Sequence, residues 1–191
     1  TEGGAIWLDP RKTSVYRFYQ FWIRTDDRDV IRYLKFFTFL TKEQIEQLET
    51  QHRQRPEGRE PHKALARTVT DLIHGEAATR EAQRASEILF GGGLDGISEA
   101  TFAEIVGEVP TVPLAAAQFG AEGMPLVDLV IRAGLCPSKG QARKDIEAGG
   151  IYVNNDRDTA AAGVVTPGRL LFGRHLLLRR GKRNYAVVSL A

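Results

Sequence analysis

Sulfur is what this chain has least of: Cys136 is its only cysteine and Met124 its only methionine in 191 residues. A single thiol cannot close an intramolecular disulfide or build a cysteine zinc site, so no metal is expected and a reducing cytoplasm suits the chain. No apolar run approaches the ~20 residues that cross a bilayer. No charged and then apolar leader opens the sequence either, so a soluble protein is expected. A glycine-rich phosphate loop is also missing, because Gly3-Gly4 is a lone pair without a strand before it and a helix after it. That pair reads as the remnant of a loop cut off upstream, and Thr1 in place of a methionine is what a fragment or processed chain would show. What is present is globular in composition, 42% hydrophobic and 26% charged, enough for one large or two small domains.

The near-zero net charge of +2 arises because two halves cancel. Residues 1–124 hold 15 Lys and Arg against 19 Asp and Glu, whereas residues 125–191 hold 11 against 5. A basic C-terminal part beside an acidic N-terminal part is the footprint of a protein that holds a polyanion with one end.

The basic end contains MPLVDLVIRAGLCPSKGQARKDIEAGGIYVN, residues 124–154. Leu126, Leu129, Val130 and Ala133 recur at helical spacing and Gly134 stands at a left-handed C-cap, which predicts a short helix over 125–133. Ser138 opens a second helix, with Gln141 placed to complete a capping box, Ala142 and Ile146 inward, and Gly149-Gly150 as the stop. Lys139, Arg143 and Lys144 then share the outer side, and Ile151-Tyr152-Val153 follows as a strand. Three cations alone are more often a solvated helix face. The order of cap, helix and strand favours a helix laid along a phosphate backbone. Cys136 lies in the turn between the helices, where no motif supplies a base to activate it, and reads as a small semi-buried spacer.

Upstream, Tyr16, Phe18, Tyr19, Phe21, Trp22 and Ile23 cover almost the whole circumference of a helix over 13–24, which predicts burial nearly all round. Asp26 or Asp27 is placed to cap a helix over 30–40, and Thr41 with Gln44 forms a capping box for one over 42–54. A proline-bearing loop over 55–61 leads to two amphipathic helices, the first ending at Gly75 and the second at Gly91-Gly92-Gly93. His74, just before the first of these stops, suits carbonyl capping better than catalysis, and Ser98 caps one more helix through Val106. Residues 109–123, with prolines, alanines and glycines, read as a linker. Beyond residue 154, the stretches 170–172 and 175–190 are strand-like, and Arg179, Arg180, Lys182 and Arg183 gather at the turn of the latter. That turn is either a charged hairpin tip or, joined to the basic helix, one side of a phosphate cradle.

The run SKGQARKDIEAGGIYVN resembles the RNA-binding module named after the fourth protein of the small ribosomal subunit, with Gly140 where that family often has a second basic residue. Read end to end, from GAIWLDPRKTSVYRFYQFWIRTDDRDVIRYLKFFTFL through KALARTVTDLIHGEAATREAQRASEILFGG to that module, the chain is similar to the C-terminal half of the bacterial tyrosyl-tRNA synthetases. The resemblance implies a mainly α anticodon-side domain over 13–108, preceded by a remnant over 1–12 that leaves a missing catalytic domain. It then implies a linker over 109–123 and a small α+β RNA-binding domain over 124–191, with two short helices packed on a small β-sheet. It further implies tyrosine tRNA as partner, with Lys139, Arg143, Lys144, Arg179, Arg180, Lys182 and Arg183 on the backbone of its long variable arm. Asp26, Asp27 and Asp29 become candidates for the anticodon, with N-capping as their plainer role. ATP with magnesium and a homodimer contact are implied for the parent ligase through the missing domain, and a monomeric fragment without catalytic residues is expected here. The competing reading is an independent RNA-binding or ribosome-associated protein sharing only the terminal module.

Overall fold

Apolar spacing in the first part of the chain resolves into five helices among the described residues: α1 (Val15–Ile23), α2 (Val30–Phe37), α3 (Lys42–Gln54), α4 (Glu60–His74) and α5 (Glu76–Leu89). The computed structural model describes residues 5–191, so the Gly3-Gly4 reading falls outside the described residues. It divides into two compact units between Ser86 and Glu87. In the first, α1, α2 and α3 each pack on α4. Phe18, Val30, Leu34, Ile45, Leu65 and Val69 form the shared core. Thr41 and Gln44 make the expected reciprocal cap at α3.

Two helices depart from expectation. α1 is not wrapped all round: Val15, Tyr16, Phe18 and Tyr19 are buried, but Phe21 turns outward, edge-on to Trp22. α2 stops at Phe37 instead of running to Leu40, because Thr38 goes extended and its hydroxyl donates back to the Leu34 carbonyl at 2.6 Å. That competing hydrogen bond ends the helix and leaves Phe39 in solvent.

The second unit takes in the last residues of α5 and then α6 (Glu99–Val106), capped by Ser98, and continues through β1 (Thr111–Leu114), α7 (Ala116–Phe119), β2 (Met124–Pro125), α8 (Leu126–Arg132) and α9 (Lys139–Glu147). Five strands complete it: β3 (Ile151–Val153), β4 (Asp156–Asp158), β5 (Val164–Val165), β6 (His175–Arg180) and β7 (Asn184–Leu190). The main sheet runs β1-β7-β6-β3-β4, antiparallel except for the parallel β1–β7 pair, and β2 pairs with β5 in a separate ladder. Residues 109–123, expected as linker, thus supply a strand and a short helix, with Leu114 and Phe119 in the core. The strand forms because β7 offers it a ladder, and Pro113 is tolerated there because a proline costs little at the margin of a sheet. Residues 170–172 form no strand, only a bridge from Leu171 to His175.

Alternation along the strands sends Ile151, Val153, Leu176, Leu178, Ala186 and Val188 to one face, where they meet Leu126, Leu129, Val130, Ala142 and Ile146 of α8 and α9. Each of these five helix residues is at most 1% exposed. At about 1.5–3 kcal/mol per fully buried large aliphatic side chain, this contact is what holds the helical pair on the sheet.

Candidate nucleic-acid interface

The Ser138 hydroxyl accepts from the Gln141 amide at 3.2 Å, which starts α9 where the sequence predicts. Gln141 does not reach back to complete a box; its amide donates to Asp145 at 2.7 Å. Asp145 is a hub, since it also accepts from the Cys136 thiol at 3.3 Å and pairs with Arg180 at 2.8 Å. Burial, then the hydrogen bond to Asp145, pushes the Cys136 thiol up to about 11, which makes it a poor nucleophile.

Of the three α9 cations, Lys139 pairs with Asp128 at 2.8 Å, whereas Arg143 and Lys144 are exposed and hold no ion pair among the described residues. The β6–β7 turn is brought beside the end of α9 by a hydrogen bond from the Gly181 amide to the Gly150 carbonyl at 2.8 Å. Lys182 and Arg183 are exposed in that turn, likewise without an ion pair among the described residues. The other two hairpin cations are not the free phosphate ligands expected of them. Arg179 is 8% exposed and donates to the Asn155 side chain and the Gly181 carbonyl. Arg180 points to the helical face, where it joins Asp145 and the Leu135 carbonyl. Adjacent strand residues face opposite ways, so one arginine is drawn under each side of the sheet and both fix the hairpin rather than extend from it.

Register also brings together residues that the sequence did not single out. Asn154 and Asn155 both have positive φ, 54° and 63°, and make a tight turn that sets Tyr152 opposite Arg157. The Asn-Asn pair was the legible signal. Asn155 further donates to the carbonyls of Ile88, which also accepts from the Gly91 amide, and of Gly92.

In the helical unit the three aspartates share a loop but not a role. Asp26 accepts from the Arg28 guanidinium at 2.9 Å and from its backbone amide at 2.9 Å, and this clamp lowers its carboxyl to about 2. Asp27 lies 2.9 Å from His62, 3.6 Å from Arg59 and 3.9 Å from His52. Neither caps α2; Asp29 holds that position, without a side-chain cap hydrogen bond. Arg59 in turn donates to the Ile23 carbonyl at 2.9 Å, so its strained left-handed backbone (φ 51°) is stabilised by contacts to the same loop.

His62 is fully buried, and although Nε2 is close to Asp27, neither ring nitrogen has an aligned hydrogen bond. Desolvation, then the nearby Arg59 charge, lowers its pKa; desolvation lowers those of His74, edge-on to Phe18, and His175 as well. Folded, each binds fewer protons than unfolded below the ordinary value of 6.5, so stability is full above that pH and falls as pH drops through the lowered values. Thermal unfolding in steps from pH 7.5 to about 5 is expected to show a falling Tm, with a shallower fall in His62→Gln. An identical fall in that variant would assign the loss to other groups.

Two family profiles match the chain in succession. One described as tRNA synthetases class I (W and Y) matches residues 1–91, and one described as the tyrosine–tRNA ligase SYY-like C-terminal domain matches residues 101–188. A tyrosine–tRNA ligase of Opitutus terrae is 57% identical over 187 residues, covering 98% of this chain. The chain belongs to the tyrosine–tRNA ligase family. Ligases of Geobacillus kaustophilus and Roseiflexus castenholzii are 50% and 44% identical and cover all of it. The chain spans about 44% of the length of the Opitutus and Geobacillus ligases and 45% of the Roseiflexus one. A match over residues 1–91 removes the reading in which only the terminal module is shared with known proteins. No helix among the described residues is long and apolar enough to cross a membrane.

Proposed function

We propose that this chain is the tRNA-recognition part of a cytoplasmic tyrosine–tRNA ligase, whose whole form joins tyrosine to its tRNA at the expense of ATP. The observation that carries this is that Arg143 and Lys144 of α9, and Lys182 and Arg183 of the β6–β7 turn that the Gly181–Gly150 hydrogen bond ties to the residues after α9, are all exposed and hold no ion pair among the described residues. Free cations of this kind hold phosphates of structured RNA by charge, and the long variable arm of tyrosine tRNA is the segment they would hold. Lys139 joins the same surface once its pair with Asp128 gives way to a phosphate, while Arg179 and Arg180 support the hairpin. Asp26, Asp27 and Asp29 offer carboxylates to anticodon bases from a loop stiffened by Arg28 and Arg59. Activation of tyrosine, and dimerisation, belong to the part of the ligase outside this chain.

Titration with a tyrosine tRNA transcript, with the same transcript lacking its variable arm, and with an anticodon variant tests the proposal. Binding is expected to weaken when either feature is removed. Replacing Asp26 and Asp27 by Asn is expected to erase the anticodon difference alone, and the chain is expected to support no tyrosine-dependent pyrophosphate exchange. Equal affinity for all three RNAs across salt concentrations would overturn the reading.

A further inference from the structure

Across the sheet face turned away from α8 and α9, four side chains stand in one row. Arg157 of β4 is opposite Tyr152 of β3, which is opposite Arg179 of β6, which is opposite Tyr185 of β7. The Arg179 guanidinium lies 3.6 Å from the Tyr152 ring centroid and 5.7 Å from that of Tyr185. Arg157 lies 5.6 Å from the Tyr152 centroid and donates to its hydroxyl at 3.1 Å. The inner end of the row is explained by folding, since Tyr185 is 6% exposed and donates to the Ile88 carbonyl at 3.0 Å. The outer end is not: Arg157 is exposed, and Tyr152 is only half-buried, between two guanidinium groups. An aromatic ring fixed by Arg179 on its face and by Arg157 at its hydroxyl is a rigid platform that loses little freedom when a flat ligand arrives.

We propose that Tyr152 and Arg157 form a subsite for one unpaired RNA nucleotide, with the base stacked on the Tyr152 ring and its phosphate paired to Arg157. This rests on the RNA-binding reading above and extends it from phosphates to a base. Position supports it. Arg157 lies across Gly149, its Cδ 3.2 Å from where a Cβ would stand, at the end of α9. The Gly181–Gly150 hydrogen bond brings the turn that carries Lys182 and Arg183 to the same end of the sheet. Exposed sheet aromatics beside cations take splayed bases, whereas a paired duplex keeps its bases stacked inside.

The test uses the whole chain with two probes, the tyrosine tRNA transcript and a blunt, fully paired RNA duplex. Tyr152→Leu is expected to weaken tRNA binding about tenfold, with salt slope and duplex binding unchanged, and Tyr152→Phe to bind within about twofold of the original. Arg157→Gln is expected to lower the salt slope by about one. Tyr152→Trp is expected to show fluorescence quenching by tRNA and not by duplex, beyond the background of Trp7 and Trp22; this variant and Arg157→Gln carry the test if Tyr152→Leu melts early. Tyr152→Leu weakening both probes equally, or neither, would overturn the subsite and leave the phosphate cradle standing. An original chain that binds neither RNA would bring down the RNA reading, and the subsite with it.

Discussion

Alanine at Gly123 is expected to cost the second unit more than about 3 kcal/mol, the range reached when backbone strain adds to overpacking. Gly123 has φ +92°, and a Cβ there would land on the Val165 carbonyl oxygen and 2.8 Å from the Thr166 Cα, backbone atoms that cannot swing aside. The damage would spread, because the next residues form the β2–β5 ladder that seats Met124 and Val165 in the core. Urea unfolding followed by circular dichroism measures it. Gly140→Ala is the control: that glycine lies inside α9 with nothing within 4 Å of a Cβ, so alanine should stabilise by up to about 1 kcal/mol. An unchanged midpoint in Gly123→Ala would mean that the loop has another conformation open to it.

Removing the four free cations together, as Arg143→Ala, Lys144→Ala, Lys182→Ala and Arg183→Ala, is expected to weaken tRNA binding at low salt by about a hundredfold or more. The slope of log affinity against log salt should fall by about 3, at 0.7–0.9 per phosphate released. Stability should hold, since these groups pair with nothing among the described residues. Arg180→Ala should behave in the opposite way: it strips Asp145 of a partly buried partner and lowers stability, with little change in salt slope. Titration at four or five salt concentrations, beside a melt of each variant, separates the two behaviours. A quadruple variant with the original slope would mean that RNA lies elsewhere on the chain.

That contrast between arginines marks where the sequence stops being legible. A run of cations beside a glycine reads as a solvated turn, and for Lys182 and Arg183 it is one. Arg179 and Arg180 differ only by sheet parity, which becomes known when Tyr152 is set against Arg179 and Ile151 against Arg180 by a pairing distant in sequence. Local signals are legible because their causes are local: Thr41, Ser98 and Ser138 each cap an amide three residues on, and Gly75 and Gly134 take the positive φ that their stops require. The helix expected over 30–40 ends early at Thr38 for an equally local reason, since a hydroxyl that bonds its own helix competes with the apolar spacing that favours continuation. Thr111–Leu114 carried no strand signal, having one proline in four residues, and takes its conformation from β7.

The parallel pairing of β1 with β7 determines how the basic C-terminal part would behave if separated. A polypeptide begun at Met124 would keep α8 and α9 on the sheet but leave β7 a bare margin, with Thr111 through Leu114 no longer opposite Val187 through Leu190. The amide of Val187, satisfied by Pro110, and that of Ala191, satisfied by Leu114, would turn outward beside Tyr185, Ala186, Val187 and Val188. Such a row of open donors and acceptors flanked by apolar side chains recruits strands from neighbouring molecules, so self-association at high concentration, not unfolding, is the characteristic failure of a chain trimmed to its basic module.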